Sequence, residues 1–180
     1  MQALAKTADT NQYDFKILNA VMEVNQKQKL VLVLKIMKDF GVDLTGKVFS
    51  IWGLSFKPNT DDIREAPSLF IIDELLKAGA KLKVFDPEAV DNMKTVFGDR
   101  IQYAGDQYEA LIESDALLIL TEWSVFRTPS FKVIKELLKE PIIYDGRNLY
   151  DTHLMQEHGF IYESIGRPKV LSNKTAYAFK

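Results

Sequence analysis

The chain has 180 residues, 47% of them hydrophobic and 27% charged, with a formal net charge of −2 and no cysteine. That length supports one core with an appended element rather than two independent domains, and that composition is ordinary for a soluble globular protein. The balance of charge excludes a general nucleic-acid binder. The lack of thiols excludes disulfides, thiolate metal sites and a cysteine nucleophile in this chain, and the apolar runs are too short to span a membrane. With no signal peptide in view, a cytoplasmic location is expected.

Residues 1–12 are small and polar and read as a frayed end or the tail of something upstream. Tyr13 to Phe40 contains neither Gly nor Pro and reads as one long helix stopped by Gly41. Phe15, Leu18 and Met22 share a stripe, whereas Leu30 to Leu34 is apolar on every side. Such a helix needs a partner, either the chain's own core or an interface.

From Lys47 the periodicity changes. Strands are expected at Lys47–Gly53, Lys81–Asp86, Ile101–Tyr103, Ala116–Thr121, Pro141–Asp145 and Ile161–Ile165. Helices are expected at Pro67–Ala78, Ala89–Phe97, Gln107–Glu113, Phe131–Lys139 and Asp151–His158. Alternation of this kind predicts an α/β fold, a parallel sheet with helices on both faces preceded by one long helix. The unbroken runs ALLIL and PIIY suit strands buried on both sides. Arg167 to Lys180 is assigned no structure.

Ligands in such sheets bind beyond the carboxyl ends of the strands, so the residues there matter most. After the first strand comes a loop with one glycine, Gly53, followed by Phe56, Lys57, Asp61, Asp62 and Arg64. A dinucleotide loop would carry three glycines, so a phosphate here must be met by side-chain cations as well as by the helix N-terminus. The fourth strand is followed by Glu122, Trp123 and Ser124, and the fifth by Gly146, Arg147 and Asn148. Lys57 and Arg147 would then face one crevice, and two cations with an aromatic suit a phosphorylated ligand bearing a flat ring.

Plainer roles compete with each of these. Lys57 alone fits a solvated loop lysine better, and Arg147 fits a turn arginine paired to Asp145 as well as it fits a ligand contact. Asp86 resembles an acid that binds a ribose hydroxyl, but the Asp-Pro turn is the stronger reading. Asp61 and Asp62 are adjacent and cannot oppose each other; they cap the next helix or hold Arg64. His153 and His158 splay on their helix, so no metal site is expected, and Trp123 reads as core.

Four stretches carry a resemblance. GLSFKPNTDDIREAPS at Gly53–Ser68 closely resembles the loop that opens the carboxyl-terminal domain of the UDP-glucose/GDP-mannose dehydrogenase family. VFDP at Val84–Pro87, TEWSVFR at Thr121–Arg127 and YDGRN at Tyr144–Asn148 follow in that family's order. EVNQKQ at Glu23–Gln28 looks like the end of its central helical domain. The resemblance implies the end of that helical, dimer-forming domain over residues 1–44, and a Rossmann-like UDP-sugar-binding domain over residues 45–180.

It further implies that Phe56, Lys57 and Arg147 contact the nucleotide sugar and that Arg64 touches NAD. These enzymes oxidise the C6 alcohol of a nucleotide sugar to a carboxylate with two NAD, through a thioester on a cysteine. No catalytic residue falls in this chain, since the cysteine and the glycine-rich NAD loop are absent. The expectation is a carboxyl-terminal piece, inactive alone, whose partners are a UDP-sugar, the missing amino-terminal half and a second copy through the long helix. The loop resembles the UDP-glucose members most; a UDP-N-acetylhexosamine or GDP-mannose enzyme, a stand-alone nucleotide-binding module and an assembly domain are the alternatives.

Overall fold

In the computed structural model, residues 2–172 are described. Six strands form one fully parallel sheet in the order β3-β2-β1-β4-β5-β6. They are β1 (Val48–Trp52), β2 (Lys81–Phe85), β3 (Gln102–Tyr103), β4 (Ala116–Ile119), β5 (Ile142–Asp145) and β6 (Ile161–Ser164). The chain starts in the middle of the sheet, winds out to one edge, returns beside β1 and winds out to the other. The turning point between β1 and β4 opens a crevice at their carboxyl ends.

Strand alternation sorts the core into two layers. On one face Phe49, Ile51, Val84 and Leu118 meet α3 (Val31–Phe40), α4 (Pro67–Lys77) and α5 (Val90–Phe97). On the other face Trp52, Leu117, Ile119 and Ile143 meet α6 (Ser124–Arg127), α7 (Phe131–Leu137) and α8 (Thr152–Glu157). Coverage on both sides is why β4 has no polar residue at all. Trp52 stacks on Phe126 at 5.1 Å between ring centroids and donates its indole N–H to the Gln107 carbonyl at 2.7 Å.

Four expectations need correcting. The amino-terminal residues form a helix, α1 (Gln2–Thr10). The single long helix is two, α2 (Lys16–Lys29) and α3, parted at Leu30. No Gly or Pro forces that break; tertiary packing does, because Leu32, Val33 and Ile36 lie buried on the sheet layer while α2 crosses above the crevice. Expected helix Gln107–Glu113 is only a 3₁₀ turn at Glu109–Leu111, and α6 was not foreseen. The segment past residue 172, for which no structure was expected, lies outside the described residues.

The fate of the long helix divides the same way. Its second half belongs to the chain's own core, and polar groups add to the apolar contact. Asp39 accepts from Tyr144 at 2.6 Å and from Lys169 at 2.6 Å, and Lys35 pairs with Glu163. Burial of Asp39 is outweighed by the hydrogen bonds from Lys169 and Tyr144, which hold its carboxyl below the usual range. Burial pushes the Tyr144 hydroxyl far above its usual value, so it stays a donor. The first half leaves Ile17 76% and Val24 63% exposed.

Candidate functional site

The crevice at the sheet's turning point holds a cavity of about 450 Å³. Phe56 enters it from the β1 loop, Leu120 from the end of β4, and Gly146 and Arg147 from the turn after β5. Pro67 and Ile71 of α4 form a further wall, and α2 supplies Met22, Asn25, Gln26 and Lys29. Its walls combine apolar side chains with two cations, Arg147 and Lys29. The Lys29 ammonium lies 3.8 Å from the Phe70 ring centre and 3.2 Å from Glu65.

The β1 loop is set by close contacts. Gly53 has φ +90, and a Cβ there would stand 2.6 Å from both Cβ and the amide nitrogen of Thr121. Only glycine permits that approach of β1 to the β4 loop. Buried Asp86 then fixes the residues that follow. One oxygen accepts from the N–H groups of Leu54 at 2.6 Å and Ser55 at 3.1 Å, from the Ser55 hydroxyl, and from the Trp123 indole at 3.1 Å. The other accepts from Glu88 and Ala89 at the start of α5. The Asp-Pro turn reading therefore holds, and every acceptor position that a ribose hydroxyl would use is filled from inside the protein. Thr121 donates to the Ser55 carbonyl and Ser68 to the Leu54 carbonyl, closing the loop against α4.

Further along, the loop returns through Asn59 at φ +61, and Phe56 N–H donates to Asp62 C=O at 2.8 Å. Asp62 grips Arg64 through its backbone N–H at 2.9 Å, Nε at 3.0 Å and Nη2 at 2.8 Å. The Arg64 hydrogen bonds bring the Asp62 carboxyl down to about 2. Of the two roles considered for this pair of acids, Asp62 has the Arg64 role; α4 begins at Pro67 without a side-chain cap. Asp61 receives the Asn92 amide instead.

Phe56 and Arg147 thus share one cavity, while Lys57 does not line it. Next to Phe56, which faces the hollow, Lys57 is exposed to solvent on the side of Asp62, and Arg64 is exposed as well. The side chain of Arg147 is not paired to Asp145. Asp145 accepts the Arg147 backbone N–H at 2.8 Å, and the guanidinium is held in a fork by Glu122, with Nε on one oxygen and Nη2 on the other at 2.9 Å. Trp123 is buried, as expected, but it also braces Ser55 and Asp86. His153 lies 3.5 Å from Glu157, and the His158 ring packs on Phe131.

Sequence reasoning set Glu122 just past the fourth strand but gave it no role, and it missed Lys29 and the α2 wall. A signal for Glu122 was present: Ile119 pairs with Asp145, so the residues just past both strand ends are neighbours. Nothing local announced that α2 would fold over the crevice.

Residues 50–152 match the UDP binding domain of the UDP-glucose/GDP-mannose dehydrogenase family. Over 168 residues, 93% of the chain, it is 43% identical to the UDP-glucose 6-dehydrogenase TuaD of Bacillus subtilis and spans 36% of that protein. It is 38% identical over 174 residues, 94% of the chain, to the UDP-glucose 6-dehydrogenase of Pseudomonas aeruginosa and spans 38% of that protein. Among solved structures, a UDP-glucose dehydrogenase from Pyrobaculum islandicum superposes with a TM-score of 0.75 at 27% identity, covering 89% of this chain and 34% of that one. The chain spans well under half the length of the curated relatives it matches.

Proposed function

Because the chain belongs to the UDP-glucose/GDP-mannose dehydrogenase family through its UDP binding domain, we propose that it is the sugar-nucleotide grip of a UDP-glucose 6-dehydrogenase. The whole enzyme would convert UDP-glucose, two NAD and water to UDP-glucuronate and two NADH. The observation that carries this reading is that Phe56 and Arg147 line a single, largely apolar cavity, with Lys29 and its partner Glu65 also in the wall, at the turning point of a parallel sheet. A flat base fits against Phe56, Leu120 and Ile71, and a diphosphate fits the guanidinium of Arg147. UDP-glucose is favoured over other sugar nucleotides because the curated relatives cited above bear that name.

Lys57 is exposed and does not line the cavity, so its contact would be with a ligand or partner that reaches beyond Phe56. Arg64, held in solvent by Asp62, would touch NAD presented by another part of the enzyme. The β1 loop and its surroundings, among the described residues, lack the features of a dinucleotide site. The loop has one glycine, and Asp86 has no acceptor position left for a ribose. NAD would therefore be bound mainly by an amino-terminal domain, which would also carry the catalytic cysteine. Residues 1–44 would close the helical domain and, through the exposed side of α2 with Ile17 and Val24, pair with a second copy. The enzyme would work in the cytoplasm. Separately, no helix among the described residues is long and apolar enough to cross a membrane.

Calorimetric titration of UDP into the 180-residue chain tests the reading. Arg147→Ala should weaken binding about tenfold to a hundredfold, the worth of a charged hydrogen bond. Lys57→Ala should cost less. An Arg147→Ala protein that binds UDP as tightly as the parent overturns the assignment. The chain alone should yield no NADH from UDP-glucose and NAD.

A further inference from the structure

Arg147 stands between two hollows. The first is the 450 Å³ cavity; the second, about 280 Å³, lies behind it against Glu122, Arg127 and Asn148. Glu122 borders only the second. Its carboxylate takes the side edge of the guanidinium, Nε and Nη2, and among the described residues Nη1 makes no hydrogen bond. An arginine has five N–H donors in a fixed plane, so engaging the side edge leaves the end edge, formed by Nη1 and the second Nη2 hydrogen, free for a ligand.

We infer that Glu122 is a positioning residue that holds the Arg147 guanidinium from the rear so that its free edge faces the diphosphate of a nucleotide in the main cavity. This rests on the proposed function above. The backbone N–H of Arg147 is already fixed by Asp145, and Glu122 fixes the other end of the same side chain. A long side chain pinned at both ends has lost its rotamer freedom before the ligand arrives, so that loss no longer weakens binding. A carboxylate that merely filled the ligand's place would border the main cavity, and Glu122 does not. The Arg147 hydrogen bonds outweigh the effect of burial and hold the Glu122 carboxyl below its ordinary value, so the fork is intact at neutral pH.

The experiment is UDP titration of the 180-residue chain as the parent, Glu122→Gln, Arg147→Ala and the double variant, with thermal melts of each. Glu122→Gln keeps the shape of the side chain, so its melting point should stay near the parent's. Its UDP affinity should fall about threefold to thirtyfold, the usual range of coupling between contacting groups. In the Arg147→Ala background the same substitution should have no further effect. A loss that persists without Arg147 overturns the inference, because it would mark a role that does not pass through the guanidinium. So does an unchanged or tighter Glu122→Gln protein alongside a weakened Arg147→Ala one. If Arg147→Ala itself binds normally, it is the ligand assignment that fails.

Discussion

The two loops that flank the crevice are each anchored on a buried aspartate, yet the anchors differ in reach. Asp145 holds its own turn. It accepts from Arg147, Leu149 and Tyr150, all within five residues, and from one distant group, the Tyr162 hydroxyl at 2.7 Å. Asp86 holds someone else's. Besides Glu88 and Ala89 it gathers Leu54, Ser55 and Trp123, more than thirty residues away in either direction. The β5 turn is shaped by its own sequence, and the β1 loop is shaped by a side chain from the neighbouring strand. A loop braced from outside can carry Lys57 and Arg64 on an otherwise open rim without depending on local turn propensity.

The largest test of that contrast is Asp86→Ala. It strands buried donors from three segments at once and should cost about 3–5 kcal/mol in urea unfolding. A cost near 1 kcal/mol would mean that the β1 loop stands by itself. Asp145→Ala should cost less, about 2–4 kcal/mol, because water can reach part of its exposed turn. Tyr162→Phe removes the distant tie of Asp145 together with the weaker contact of the same hydroxyl to the Tyr150 carbonyl, and should cost about 1 kcal/mol, leaving the turn in place. If it cost as much as Asp145→Ala, the β5 turn would be no more local than its counterpart.

The smallest effect is expected at the rim. Asp62→Ala should cost the least of these substitutions, since the Arg64 pair is in solvent and its attraction is screened. Its signature is in titration instead. The folded carboxyl sits at about 2, below the ordinary 3.8, so its favourable interaction is complete above the unfolded value and fades as pH falls through about 2. Side-chain carbon NMR should show that midpoint, and Arg64→Ala should return it toward 3.8.

The same contrast explains what was legible in the sequence. The alternation of strands and helices was readable because each buried strand is a local run, and all six strands begin and end within two residues of their expected bounds. The DGRN turn announced itself for the same reason. Asp86 was seen for its local half, the turn to Glu88, whereas its hold on Leu54, Ser55 and Trp123 exists only after the sheet is assembled. The Arg147 partner was misjudged on similar grounds, since Asp145 is adjacent in sequence and Glu122 is adjacent only in space. The break at Leu30 has no breaker residue and is a choice made by packing.

Gly53 has a consequence for how this stretch can vary. Its positive φ excludes most side chains, and the neighbouring Thr121 leaves no room for the Asn or Asp that tolerate such a backbone elsewhere. A library with all twenty amino acids at residue 53, sorted for folded chains, should therefore come back as glycine alone. The first letter of the GLSFKP signature would be kept by strand geometry even in a descendant that had stopped binding nucleotides.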